Sequence, residues 1–275
     1  MNFPPTKLDY HVDMFNLQSQ SRFLSLYKAE DGRTALILDS TVFHPQGGGQ
    51  PSDTGFIEFS GLDFKFSVQD VRSKDGIVLH YGVFEGLNHE SGMDIEEGKE
   101  VHLFVDESRR KLNSRQVTLR WTLARYVYAE SWVRTFGAWK GYHFPDGPYV
   151  EYKGSVPQNE LQVKQEELEA EANELITKGG KVYAALLPYE EASVLCGGSL
   201  PDYIPKGAPN VITIALKGNK YPARGSTPRI IKLGDNPGCP CGGTHVSDVS
   251  DIISMKITQM RTKKGMTKVC YTIAS

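Results

Sequence analysis

The sequence changes period once, at Asp106, and that change limits the possible folds more than any other feature. Ahead of it stand TALILDST (34–41), TGFIEF (54–59), FKFSVQDV (64–71), GIVLHYGVF (76–84) and VHLFVD (101–106). These are short runs of β-branched and aromatic residues between Gly, Ser and Asp turns, the pattern of strands joined by tight connections. No helical segment interrupts them, so they predict a small antiparallel barrel or sandwich. From Asp106 to Phe136 there is neither glycine nor proline, and Val117, Trp121, Ala124, Tyr128 and Trp132 recur along it. That spacing predicts a long helix with one apolar stripe. The division is therefore an all-β unit over 1–105 and an α+β unit over 106–275.

Within the second unit a loop rich in Gly, Pro and aromatics (137–154) leads to NELQVKQEELEAEANELI. This reads as an acidic helix with Leu161, Leu168, Ala172 and Leu175 on one face, ended by the pair Gly179–Gly180. VITIALKG, PRIIKLGD, DIISMKIT and KVCYTIAS then predict short strands of an antiparallel sheet. The fold class is α+β: a small N-terminal antiparallel barrel, then a long helix and an antiparallel sheet.

At 275 residues with 39% apolar content the chain can bury a real core. No apolar run is long enough to span a membrane, and the start lacks the apolar stretch of a secretory signal, so we expect a soluble cytoplasmic protein. The net charge is −2. A nucleic-acid partner would have to be held by a local basic patch, because there is no global positive field. Of the four cysteines, Cys239 and Cys241 are too close to pair comfortably, which favours metal binding or plain burial over a disulfide framework.

Two motifs carry the chemistry. TVFHPQGGGQPSDTG (41–55) places Gly47, Gly48 and Gly49 together between two strands, where bare backbone can approach a partner or adopt positive φ. A P-loop is excluded by the spacing, while Thr41, His44, Gln46, Gln50 and Asp53 surround the glycines with hydrogen-bonding groups. CPCGGTHVSD (239–248) sets Cys241 and His245 four residues apart on a glycine turn, half of a zinc site. Zinc takes four ligands, or three and a water, so the other half must come from elsewhere.

Taken together, the two motifs resemble those of the alanyl-tRNA editing (AlaX) proteins and of the editing domain of alanyl-tRNA synthetase. The first motif of that family reads Thr-x-Phe-Tyr-Pro-x-Gly-Gly-Gly-Gln-Pro-x-Asp-x-Gly. Thr41, Phe43, Pro45, Gly47 to Gly49, Gln50, Pro51, Asp53 and Gly55 match it, with His44 replacing the tyrosine. The order of elements along nearly the whole chain is similar too. The resemblance implies a hydrolase that deacylates Ser- or Gly-tRNA of the alanine type. Thr41 and Gln50 then stand at the chemistry, while His44, Gly47, Gly48, Gly49, Asp53 and Thr118 bind substrate. Cys241 and His245 are the implied metal ligands, and tRNA is the implied partner.

The same resemblance places two further zinc ligands on the long helix as histidines four residues apart. The lead-in Asp106, Arg109, Arg110, Arg115 aligns without gaps, and the two positions fall on Val117 and Trp121, neither of which binds zinc. Three readings follow. The cavity is refilled as core, where a buried Trp contributes about 2–3 kcal/mol; His44, Cys239, His143 or His102 completes a rearranged site; or Thr41, Gln50 and backbone N–H groups act without metal. Packing favours the first as far as zinc is concerned. For RNA, Arg109, Arg110, Lys111, Arg115, Arg120 and Arg125 crowd the long helix, and RTKKGMTK (261–268) forms a second basic cluster. The alternative function is a catalytically inactive descendant that binds tRNA or a protein, and a weaker third is hydrolysis of another small ester or amide.

Overall fold

The computed structural model describes residues 3–86, 95–129, 140–198, 200–201, 204 and 227–274, with side chains of 124–129 outside that description. The side chains of Ala124, Arg125 and Tyr128, together with Trp132 and the VITIALKG segment (211–218), therefore lie outside the described residues.

The first unit contains β1 (Lys7–Leu8), β2 (Gln18–Lys28), β3 (Thr34–Leu38), β4 (Ser40–Thr41), β5 (Gly55–Phe59), β6 (Lys65–Lys74), β7 (Ile77–Glu85) and β8 (Glu100–Val105). Six of them close a barrel in the order β2-β3-β7-β6-β5-β8. Alternation explains the closure: Val101, Leu103 and Val105 of β8 turn inward with Leu36, Leu38, Ile57, Phe59 and Phe66, and together they fill the interior. β2 does not announce itself in sequence, because QSQSRFLSLYK is mostly polar. Pairing makes it a strand: β8 takes its first half and β3 its second.

Secondary structure switches between Val105 and Glu107. Asp106 caps the helix, its Oδ1 accepting the Arg109 N–H at 3.1 Å. The helix α1 (Glu107–Ala129) is buried over a far wider arc than one stripe. Arg110, Asn113, Ser114, Gln116, Val117, Thr118, Leu119, Thr122 and Leu123 are all buried, whereas Trp121 is only half-buried. The stripe reading thus misplaced the main apolar anchors, which are Leu119 and Leu123. The physical reason is that α1 is packed on more than one side, so polar residues as well as apolar ones lose solvent.

Beyond it come β9 (Lys140–Tyr142), β10 (Tyr149–Lys153), α2 (Leu161–Lys178), β11 (Val182–Leu186), α3 (Tyr189–Leu195), β12 (Arg229–Leu233), β13 (Cys239–Pro240), β14 (Met255–Lys263) and β15 (Met266–Ile273). The sheets run β14-β15-β10-β9 and β11-β12-β13. The segment 137–154, expected as loop, contributes a β-hairpin, because Val150 and Tyr152 bury their side chains while β10 pairs with β15. On α2 the buried face is Leu161, Leu168, Ala172 and Ile176, with Ile176 taking the place expected for Leu175. Gly179 ends the helix at φ +68°, a conformation natural to glycine. Gln165, Glu169 and Asn173 lie one helical turn apart on α2 and reach the backbone of β14. Asn173 bonds both ways with Met255, Glu169 accepts from the Ile257 N–H, and Gln165 accepts from the Met260 N–H and donates to the Ile257 carbonyl. Among the described residues no helix is long and apolar enough to cross a membrane.

Arg110 fastens the barrel to α1. It is 3% exposed, and its guanidinium donates to Asp53 Oδ2 at 2.6 and 3.0 Å, to the Met14 carbonyl at 3.0 Å and to the Val42 carbonyl at 2.7 Å. That departs from the surface position expected of a residue in an RNA-facing patch. Removing one partner of such a pair leaves a buried charge uncompensated. Arg110→Met should therefore lower stability by about 3–5 kcal/mol, read as a fall in the urea midpoint, whereas a change under 1 kcal/mol would refute the coupling.

Candidate functional site

The glycine loop, the CGGTHV turn and the middle of α1 meet at one place, and hydrogen bonds tie them together. Gln50 grips Thr244 with both ends of its amide: its Nε2–H donates to Thr244 Oγ1 at 2.9 Å, and its Oε1 accepts the Thr244 N–H at 3.0 Å. Ser114 of α1 lies 2.8 Å from the same Thr244 hydroxyl. Gly243 has to be glycine here, because a Cβ would stand 2.7 Å from Gln50 Oε1 and 3.2 Å from Val117 Cγ1. Arg229 holds the turn from below, donating to the carbonyls of Cys241 and Gly243 at 2.9 and 2.8 Å.

Thr118 fixes the state of His245. The threonine hydroxyl donates to the Ser114 carbonyl at 2.7 Å, so its oxygen must accept from His245 Nδ1, 3.1 Å away, as it accepts the Val246 N–H at 3.2 Å. Nδ1 is thus the protonated nitrogen of a neutral ring. Nε2 keeps its lone pair and faces Cys241 Sγ at 3.3 Å. Burial, reinforced by Arg229, holds this imidazole well below its ordinary range.

The glycine loop approaches its own protein closely. Gly48 and Gly49 adopt φ of +59° and +92°, and a Cβ on Gly49 would overlap the Gly141 carbonyl. Gly47 and Gln50 close the turn by bonding to each other, and the His143 N–H donates to the Gly49 carbonyl at 2.9 Å. Arg120 reaches the Gly48 carbonyl at 3.4 Å while its guanidinium lies over the Trp121 ring, 5.1 Å from the centroid.

The remaining residues singled out in the sequence are spread more widely. Asp53 is wholly buried against Arg110 and also accepts the His44 N–H at 2.6 Å. His44 packs edge-on to Tyr10 with its Nδ1 unpartnered, and burial brings it down to about 3. Thr41 sits at the end of β4, where its hydroxyl donates to His80 Nε2 at 2.8 Å and accepts the Phe43 N–H at 3.1 Å. His80 escaped the sequence reading, although a histidine inside the apolar run GIVLHYGVF was a usable signal. Its Nδ1–H donates to the Leu36 carbonyl, and burial lowers it to about 4. His143 bonds Tyr271 through Nδ1 and leaves Nε2 buried without a partner. His102 lies elsewhere, on the barrel surface beside Glu100. Cys239 is in β13 with its thiol toward the Ile231 carbonyl. Arg109 donates to the Ser52 carbonyl, and Arg115 is half-buried.

Two tetrahedral zinc ligands, nitrogen and sulfur, stand about 3.5 Å apart, so the spacing of Cys241 and His245 suits half of such a site. The rest of the donor set does not. Val117 borders Cys241 at Gly243, and among the described residues no group of three or more His, Cys, Asp or Glu gathers to hold an ion. Two donors fall short of the three protein ligands that even an open zinc site uses.

Comparison with known proteins adds to this geometry. The family model for tRNA synthetases class II (A) matches residues 6–109. Over 264 residues, 96% of its length, the chain is 28% identical to the alanyl-tRNA editing protein AlaX-L of Pyrococcus horikoshii, and it covers 57% of that protein. It is 26% identical over 281 residues to the alanine–tRNA ligase of Caldivirga maquilingensis, covering 27% of it. It is 30% identical over 272 residues to that of Korarchaeum cryptofilum, covering 25%. The chain thus spans little more than half of the first relative and about a quarter of the ligases. The resemblance read from TVFHPQGGGQPSDTG and CGGTHV holds along nearly the whole chain.

The buried histidines set a pH dependence. In the unfolded chain they take up protons near the ordinary 6.5, whereas folded His80 does so only near 4, and His44 and His143 near 3. Their contribution is complete above about pH 6.5 and is lost as the pH falls from there toward 4 and 3. Between pH 7.5 and 5.5 each should remove roughly 1.4 kcal/mol of stability. Urea unfolding at the two values checks this, and equal midpoints would contradict it.

Proposed function

We propose that this chain is an aminoacyl-tRNA editing hydrolase of the alanyl type, which cleaves the ester linking a wrong small amino acid, serine or glycine, to the 3′ end of an alanine tRNA. The observation that carries this reading is the Gln50–Thr244 amide clamp. It brings the two motifs shared with the editing proteins against α1, in the place where Thr118, His245 and Cys241 converge. A protein that had kept the motifs only as folding relics would not need a hydroxyl, an imidazole and a thiol lined up beside them.

Each group has a task in such a reaction. Arg120 beside Gly48, with Arg109 and Arg115 on the same helix, supplies local positive charge for the phosphates of the acceptor end, as a chain of net charge −2 requires. The glycine turn presents backbone to the terminal ribose and base. Thr41 discriminates among side chains. Because His80 takes its proton and Phe43 N–H one of its lone pairs, the other lone pair is what a serine hydroxyl meets. A site that hydrogen-bonds a hydroxyl rejects an analogue lacking it far better than apolar packing can. The chemistry itself runs on the chain's own groups, since the donor set is short of a metal site.

A second reading, a binding protein without turnover, is favoured by Val117 and Trp121 in place of donors. Deacylation of Ser-tRNA of the alanine type, with added zinc and again with a strong chelator, separates the two. We expect turnover at equal rates in both tubes. Loss of turnover with the chelator would restore a metal role, and tight tRNA binding with no release of serine would favour the binding protein.

A further inference from the structure

We infer that Cys241 is a nucleophile, with His245 as its base and Thr118 as the residue that positions the base, so that the deacylation proposed above proceeds through a thioester. The arrangement has the three parts of an activated nucleophile: a thiol, an imidazole nitrogen within reach, and a third group orienting the ring. The distances are 3.3 Å from Sγ to His245 Nε2 and 3.1 Å from His245 Nδ1 to Thr118 Oγ1. The tautomer is forced by connectivity, since Thr118 has given its proton to the Ser114 carbonyl and can only accept from Nδ1. The lone pair of Nε2 is therefore aimed at the thiol proton.

The surroundings suit an anionic sulfur. The Gly243 N–H points at Sγ from 3.5 Å, and Arg229 lies close enough for its charge to be felt at Cys241. Reactive cysteines occupy electropositive, partly exposed positions, and Cys241 is partly exposed while its base is buried. Cys239 differs in every respect: it is buried, no base faces it, and its thiol is pushed well up by desolvation. A separate observation points to a ligand here. His143 Nε2 and His44 Nδ1 are buried without partners, and both rings lie near enough to His245 to influence it. They leave hydrogen-bonding capacity for the amino and hydroxyl groups of a small aminoacyl moiety.

The step balances without a co-reactant. Sγ bonds to the ester carbonyl carbon as its proton moves to His245 Nε2, and the carbonyl electrons go to oxygen. The bond to the ribose oxygen breaks, and that oxygen takes the proton back from Nε2. Water then attacks the thioester, giving a proton to Nε2, and the sulfur leaves and recovers it. The products are the free amino acid and a tRNA with its ribose hydroxyl intact. Val117 is consistent with this use, because a third donor at that place would compete for the sulfur lone pairs.

The test uses the intact chain and first p-nitrophenyl acetate, a probe that does not depend on tRNA. Mass spectrometry of the quenched protein should find acetyl on Cys241 at least about 10-fold faster than on Cys270 or Cys196, which are also partly exposed. His245→Ala and Thr118→Val should remove that advantage, and Thr118→Ser should restore it. Equal rates at the three cysteines in the unaltered protein overturn the inference whether or not any variant folds. With Ser-tRNA of the alanine type, Cys241→Ala should slow deacylation about 100-fold with tRNA affinity unchanged. Deacylation untouched by Cys241→Ala sinks the nucleophile and leaves the editing function standing. Selective acetylation without deacylation keeps the nucleophile and removes the editing function.

Discussion

Asp53 and Arg110 meet inside the protein, and the site depends on their meeting. Placing two ions out of water is expensive unless geometry and further hydrogen bonds compensate. Here they do, since one guanidinium is shared between the carboxylate and the carbonyls of Met14 and Val42. The N-terminal segment, the exit of β4 and the end of the glycine loop are thereby joined to the first turns of α1. Gln50 is three residues from Asp53, and Ser114 and Thr118 lie one and two turns after Arg110. A single ion pair thus sets how the loop faces the helix, and the Gln50–Thr244 clamp extends that setting to the CGGTHV turn.

What the turn receives is a pocket of neutral rings in a positive frame. His11, His44, His143 and His245 are all buried and held uncharged by desolvation, while Arg229 and Arg120 keep their charge nearby. Such a pocket offers lone pairs and N–H groups without a fixed negative charge, and that suits an ester carbonyl whose oxygen becomes anionic in the transition state. A chain that had merely refilled an old cavity with apolar side chains would not need to bury so many unpaired ring nitrogens, each with its own desolvation cost.

The fold was largely legible wherever side chains alternate between core and solvent. The strands carrying Leu36, Ile57, Phe66, Leu79 and Leu103 follow the period-two rule, and the change at Asp106 marks the start of α1. β2 was not legible, because its strand character comes from two partners far away in the sequence, and neither was the β9–β10 hairpin, hidden in a glycine-rich stretch. The site was legible as two motifs but not as an arrangement. Nothing local announces that Gln50 pairs with a residue 194 positions away, or that Arg110, which looks like a surface cation, is the partner of Asp53. Thr118 was named from its motif, yet its role depends on where its one proton goes, which only the fold decides.

The contacts from α2 to β14 have a consequence for how this protein behaves in a crowded solution. β14 lies at the margin of its sheet, where exposed amides would invite a strand from another molecule. Gln165, Glu169 and Asn173 occupy those amides from the side, so the sheet ends on a helix instead of on open backbone. Intermolecular sheet extension, the first step toward fibrils, is closed off on that margin by three polar side chains spaced one turn apart.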